Sequence, residues 1–103
     1  MTLAEDSVIA KYKEQGFRRV VVRRDEPNFS YPNHYHAYNL AFQVLEGSME
    51  VTINHQQTAA QAGDYMLIPA GQLHSVHIGQ QGCIYIHAEK EAGFSTSQEN
   101  ATI

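Results

Sequence analysis

The chain has 103 residues, of which 43% are hydrophobic and 17% charged, and a formal net charge of −4. This is enough for one small domain with its own core, and it excludes a disordered or heavily solvated chain. The acidic balance and a sequence pI of about 5.8 leave no general attraction to a phosphate backbone, so nucleic acid is not an expected partner.

One basic cluster, Arg18, Arg19, Arg23 and Arg24, is interleaved with Val20, Val21 and Val22. It reads as a strand with charged flanks and not as a nucleic-acid surface. No stretch approaches the roughly 18 apolar residues of a membrane helix, so no membrane association is expected. Cys83 is the single cysteine and cannot form an internal disulfide. Without a basic and then apolar leader at the N-terminus, a cytoplasmic location is the expectation. The unusual count is histidine, at 6 against 7 lysines and arginines.

In chain order, Thr2 and Glu5 have the spacing of a capping box, and Leu3, Val8, Ile9 and Tyr12 follow at helical intervals. Gly16 stands where a helix end favours a left-handed residue. These features predict a short helix over residues 3–15, an N-terminal unit of residues 1–16, and then a strand over residues 17–24. Pro27, Asn28, Ser30, Pro32 and Asn33 predict a loop.

From His34 onward the pattern is all-β. Leu40, Phe42 and Val44 share one strand face and Ala41, Gln43 and Leu45 the other, with Gly47 expected to turn the chain. Met49, Val51 and Ile53 then alternate with Glu50, Thr52 and Asn54, as in a strand with one buried face. Asn54, His55 and Gln56 predict a hairpin turn. Further strands are expected from Gly63 to Ile68, from Leu73 to Ile78 and from Cys83 to Ala88, with residues 79–82 separating the last two. The expected β-domain spans residues 17–89, and the polar residues 90–103 form an expected frayed tail.

His34 and His36 are two positions apart, so on a strand both rings share a face and can serve one metal ion. His74 follows a Pro-x-Gly turn and can close a third position. Three convergent neutral imidazoles leave coordination sites open, which belongs to catalytic more than to structural centres. Of the remaining histidines, His55 reads as a solvated turn residue and His77 faces away from His74. His87 shares a face with Tyr85 and Cys83, which makes it a pocket acid–base candidate. Cys83 reads as a small buried hydrophobe.

Residues 34–47, HYHAYNLAFQVLEG, resemble the first conserved motif of the cupins, His-x-His, then glutamate, then glycine. Residues 63–74, GDYMLIPAGQLH, resemble the second, Gly, five residues, Pro-x-Gly, two residues, His. The resemblance covers about residues 17–88. It implies an all-β jelly-roll barrel of two antiparallel sheets around a pocket, here with a short N-terminal helix, and it places the metal ligands at His34, His36 and His74. Such a protein is expected to bind a small-molecule ligand and to pair as a homodimer through edge strands.

The sequence departs from the motif where the glutamate ligand belongs. Leu40 stands there, and the longer-spaced variant falls on Ala41. The asparagine often found four residues after the third histidine is Ile78. Neither Tyr38, Asn39 nor Gln43 is an obvious replacement ligand. Without a carboxylate, the donor set favours a divalent transition metal of the Fe, Zn, Ni or Cu group. Family members that resemble the thiol and diketone dioxygenases work with three histidines and Fe(II).

The implied activity is therefore an iron-type dioxygenation of a small organic molecule. The alternatives are a metal-assisted isomerase or lyase and a non-catalytic ligand sensor. Pocket candidates are His87, Tyr85 and Tyr38, with Leu40 and Phe42 lining the wall.

Overall fold

In the computed structural model, residues 3–92 are described. Residues 93–103, most of the expected frayed tail, and Thr2 of the expected capping box lie outside them.

Helix α1 spans Leu3–Glu14. It ends in a paired C-terminal motif, with Phe17 N donating to Tyr12 O and Gly16 N to Lys13 O. Gly16 sits at φ +91°, and the Tyr12 and Phe17 rings meet edge to face at 5.3 Å. Left-handed glycine, two back-bonds and an apolar contact across them together stop the helix.

Six strands follow: β1 (Arg18–Asp25), β2 (Ser30–His34), β3 (Asn39–Ile53), β4 (Gln56–Gln61), β5 (Tyr65–Ile68) and β6 (His74–Lys90). β3 and β6 are the long members and pair antiparallel along almost their whole length. Their first and second halves are flanked differently. β1 pairs with the later half of β6 and β5 with the earlier half of β3. β2 pairs with the earlier half of β6 and β4 with the later half of β3. Bending the β3–β6 pair at its middle therefore gives two antiparallel sheets facing each other, a jelly-roll barrel without a break in either long strand.

The bend is made by β-bulges between Val44 and Glu46 and between Gly47 and Met49. Gly47 has φ +79°, and a Cβ there would overlap the carbonyl of Gly82 on β6. Gly47 is thus a bulge inside a strand and not the expected turn, and residues 79–82 likewise belong to a continuous β6. The bulges also keep Leu40, Phe42 and Val44 on the same inner face as Met49, Val51 and Ile53 despite the odd spacing, and all six pack in one cluster.

Two elements were not legible. β4 is mostly exposed and polar, so it lacks an apolar alternation. β2 carries Pro32, which an edge strand tolerates because it has no ladder bond to donate outward. The hairpin turn is as expected, with Asn54 and His55 both at positive φ.

The outer face of the first sheet is covered by α1. Tyr12 packs with Val20, Ala41, Ile86 and Ala88 in a second cluster, joined by Val8 and Ile9. Arg24 Nη2 donates to both Glu5 oxygens at 3.2 and 3.0 Å, and Tyr12 donates its hydroxyl to Gln43 Oε1 at 3.1 Å.

A candidate metal centre

Three histidines converge at one mouth of the barrel. His34 ends β2, His74 begins β6, and the two are direct cross-strand partners, so their rings share a face with centroids 4.3 Å apart. His36 lies two residues past His34 in the β2–β3 connection and not on a strand. Its backbone carbonyl accepts from Gly71 N at 2.8 Å, and Asn39 Oδ1 accepts from Ala70 N at 2.9 Å. These bonds tie the His-x-His segment to the Pro-x-Gly turn and fix the third ring against the other two. One ligand atom from each histidine lies within 4.8 Å of the others.

Hydrogen bonds orient the rings. His34 Nδ1 lies 2.7 Å from Pro32 O and His74 Nδ1 lies 2.9 Å from Gln72 O. A carbonyl only accepts, so each Nδ1 carries a proton and Nε2 is the nitrogen left to bind a metal ion. His36 Nδ1 lies 3.0 Å from the Tyr38 hydroxyl, and the Tyr38 ring stacks on it at 4.8 Å. Burial first, and then the nearby Glu89 carboxylate, push the Tyr38 phenol above its ordinary value. In the tautomer in which that hydroxyl accepts from His36 Nδ1, all three imidazoles present Nε2.

Burial holds His36 below the usual histidine range, assisted by His34 and His74 and opposed by Glu89. Burial does the same at His74, with the Gln72 carbonyl opposing. Neutral rings with outward Nε2 lone pairs and anchored Nδ1–H groups are the donor set a divalent transition metal takes.

The histidines open on a cavity of about 350 Å³ between the sheets. Leu40, Phe42, Met49, Ile68 and Val76 make its apolar wall, and Arg23, Tyr31, Tyr85 and His87 supply polar groups. None of the lining residues is an aspartate or glutamate. Leu40, 5% exposed, occupies the inner face where the resemblance would set a carboxylate. Asn39 and Gln43, already excluded as replacement ligands, are engaged elsewhere, by Ala70 and Tyr12.

His87 packs at 6.2 Å from His36 and 6.3 Å from Tyr38. Burial first, then the charge of Arg23 and the neighbouring His36, push it down to about 4. Tyr85 donates its hydroxyl to Asp25 Oδ2 at 2.7 Å, and Tyr31 donates to the same oxygen at 2.8 Å. Burial and Asp25 push the Tyr85 phenol far above its ordinary value, so its proton is committed to Asp25 at neutral pH. Of the other histidines, His55 is in the hairpin turn and His77 is exposed against Ser30 Oγ. Cys83 is 3% exposed within the core cluster.

Sequence reasoning missed Arg23, Asp25 and Glu89. Arg23 is opposite Tyr85, and Asp25 opposite Cys83, in the β1–β6 pairing. Glu89 is opposite Leu40. All three therefore stand on the inner face, and strand parity on β6 was the available signal, since Cys83, Tyr85, His87 and Glu89 alternate.

A family model described as the cupin domain matches residues 21–88. The chain belongs to the cupin family. Solved structures agree on the fold. A cupin-2 domain containing protein from Shewanella frigidimarina is 21% identical with a TM-score of 0.61, covering 87% of this chain and all of that one. A cupin protein from Bacteroides fragilis is 20% identical with a TM-score of 0.62, over 81% of this chain and 70% of the other. A Rhizobium leguminosarum protein of unknown function is 19% identical with a TM-score of 0.63, over 70% of each chain. A search of curated proteins finds no match. Among the described residues, no helix is long and apolar enough to cross a membrane.

Proposed function

We propose that this cupin binds one divalent transition-metal ion through His34, His36 and His74 and admits a small organic molecule to the adjoining cavity. The observation that carries the reading is the convergence of three imidazoles, two with Nδ1 locked to backbone carbonyls, on an apolar cavity of about 350 Å³. An ion of the Fe, Zn, Ni or Cu group would supply a Lewis acid with open positions and, as Fe(II), access to oxygen chemistry.

The chain's own residues do the rest. Leu40, Phe42 and Ile68 exclude water from the ligand's body. Neutral His87, facing the cavity, is placed to exchange a hydrogen bond with a bound molecule. Tyr85 anchors the floor and does not exchange its proton.

As an enzyme, the protein fits iron-dependent dioxygenation of a small organic molecule, with a metal-assisted isomerase or lyase as the other catalytic form. One observation favours a non-catalytic binding module instead. Leu40 stands where the carboxylate is expected, among the described residues no carboxylate lines the cavity, and His87, pushed down to about 4, is a weak base at neutral pH.

Elemental analysis of protein purified without added metal tests the first part, with about one transition-metal ion per chain expected. Metal well below that level, together with no thermal shift on adding Zn(II), Ni(II) or Fe(II), rejects it. Oxygen uptake by the Fe(II)-loaded protein with small thiols, diketones and phenols separates the classes. Uptake on one of them supports the dioxygenase, and none on any supports the binding module.

A further inference from the structure

We infer that the cavity is built for a small organic anion, a carboxylate on an apolar or aromatic body, with Arg23 as the residue that takes its charge. The inference deepens the reading above and rests on it only for the end of the ligand that meets the histidines.

Arg23 differs from the other arginines of its strand. Arg18 pairs with Glu91 at 3.0 Å, Arg19 with Glu89 at 3.9 Å and Arg24 with Glu5 at 3.0 Å. Among the described residues Arg23 makes no ion pair. Its side-chain hydrogen bond goes from Nη2 to the Tyr31 hydroxyl at 3.2 Å, a neutral oxygen whose own proton is given to Asp25. Asp25 is the nearby acid, but Tyr31 and Tyr85 both donate to its Oδ2. A guanidinium carries five N–H donors. Most of those on Arg23 are unspent, in a wall that is otherwise largely apolar.

Burial disfavours the Arg23 charge, and Tyr85, Tyr31 and Asp25 offset that cost, while its remaining N–H donors are free to take an incoming carboxylate. Asp25 lies behind Tyr31 and Tyr85, which bond its Oδ2, and among the described residues no aspartate or glutamate lines the cavity itself to compete with a ligand's carboxylate. The field of Arg23 is felt inside, since its charge helps keep the neighbouring His87 neutral. Replacement of the expected carboxylate by Leu40 works in the same direction. A metal ion on three imidazoles would add two positive charges with no carboxylate among its ligands.

The span is continuous. Arg23 bonds Tyr31, and the Tyr31 ring lies 6.4 Å from that of His34, so one small molecule can reach from the histidines to the guanidinium. Its body would lie against Leu40, Phe42 and Tyr85.

Calorimetric titration of the full chain with phenylacetate and with its neutral counterpart phenylacetamide tests this. Each would be run on chelator-treated protein and again after adding Zn(II). Phenylacetate should bind at least about tenfold more tightly than the amide in chelator-treated protein, as expected for a charge-assisted bond to guanidinium. In Arg23→Gln the two probes should converge, and Arg23→Lys should keep part of the preference. Circular dichroism establishes that both variants are folded.

Equal affinity of the two probes for the wild-type protein overturns the inference even if neither variant folds. So does a preference that survives in Arg23→Gln, or no detectable binding of phenylacetate at millimolar concentration. Failure of Zn(II) to bind defeats the metal reading alone, because the anion preference is read first in its absence.

Discussion

His74 is the least replaceable of the three imidazoles. It is 1% exposed, its Nδ1 is anchored to Gln72, and it touches both other rings. His74→Ala should therefore abolish stoichiometric metal binding and remove any thermal stabilisation by added Zn(II), both read directly by elemental analysis and melting curves. Tyr38 acts at one remove. Tyr38→Phe leaves the stacking on His36 but removes the hydroxyl that hydrogen-bonds its Nδ1, so zinc affinity should fall by about 10-fold to 100-fold, with little change in the fold. A metal-competition titration showing unchanged affinity would remove Tyr38 from the site. Cys83 illustrates the opposite case. Burial, with Asp25 adding to it, pushes its thiol up to about 11, so on the order of one thiol in a thousand is ionised at pH 8. Folded protein should react negligibly with a thiol-specific chromogen and release one equivalent on unfolding. Fast reaction in the native state would contradict the packing described.

At the scale of elements, legibility followed the origin of each signal. The histidine trio could be read because its spacing is local, set by the end of β2 and by the Pro-x-Gly turn before β6. Arg23 could not, because valines normally point inward and arginines outward. Here α1 covers the outer face and buries Val20 there, which inverts the parity and turns Arg23 into the cavity. The unbroken course of β3 and β6 was hidden for a related reason. Glycines that ordinarily punctuate strands are here the hinge of a bent pair. Gly47→Ala tests that hinge. The substitution must hold a side chain at φ +79° and against the Gly82 carbonyl, so it should cost about 3 kcal/mol or more in a denaturant titration. Alanine would be nearly neutral if Gly47 were an ordinary exposed turn.

For the whole molecule, the cavity's histidines set how stability responds to acid. His87 is the strongest case, about 4 in the folded chain against an ordinary 6.5. Arg23 on β1, His36 and Tyr38 beside β2, and Glu89 further along β6 are the charged or titratable groups around it, and Arg23 and His36 both oppose its protonation. Between those two pH values the unfolded chain holds a proton that the native chain does not. Falling pH therefore favours unfolding throughout that window, while above about 6.5 and below about 4 His87 adds no further slope. His36 and His74 are lowered in the same direction, so they steepen the same loss. A bound metal ion would add to it, since protons compete for the same nitrogens. Chelator-treated protein should thus lose melting temperature steadily from pH 6.5 to pH 4. His87→Gln, which keeps a polar side chain of similar reach but cannot titrate, should lose less over that interval and match the wild-type slope above pH 7. An identical slope in both proteins across the acid window would mean that His87 is not held neutral by its surroundings, contrary to the burial and the Arg23 charge described for it.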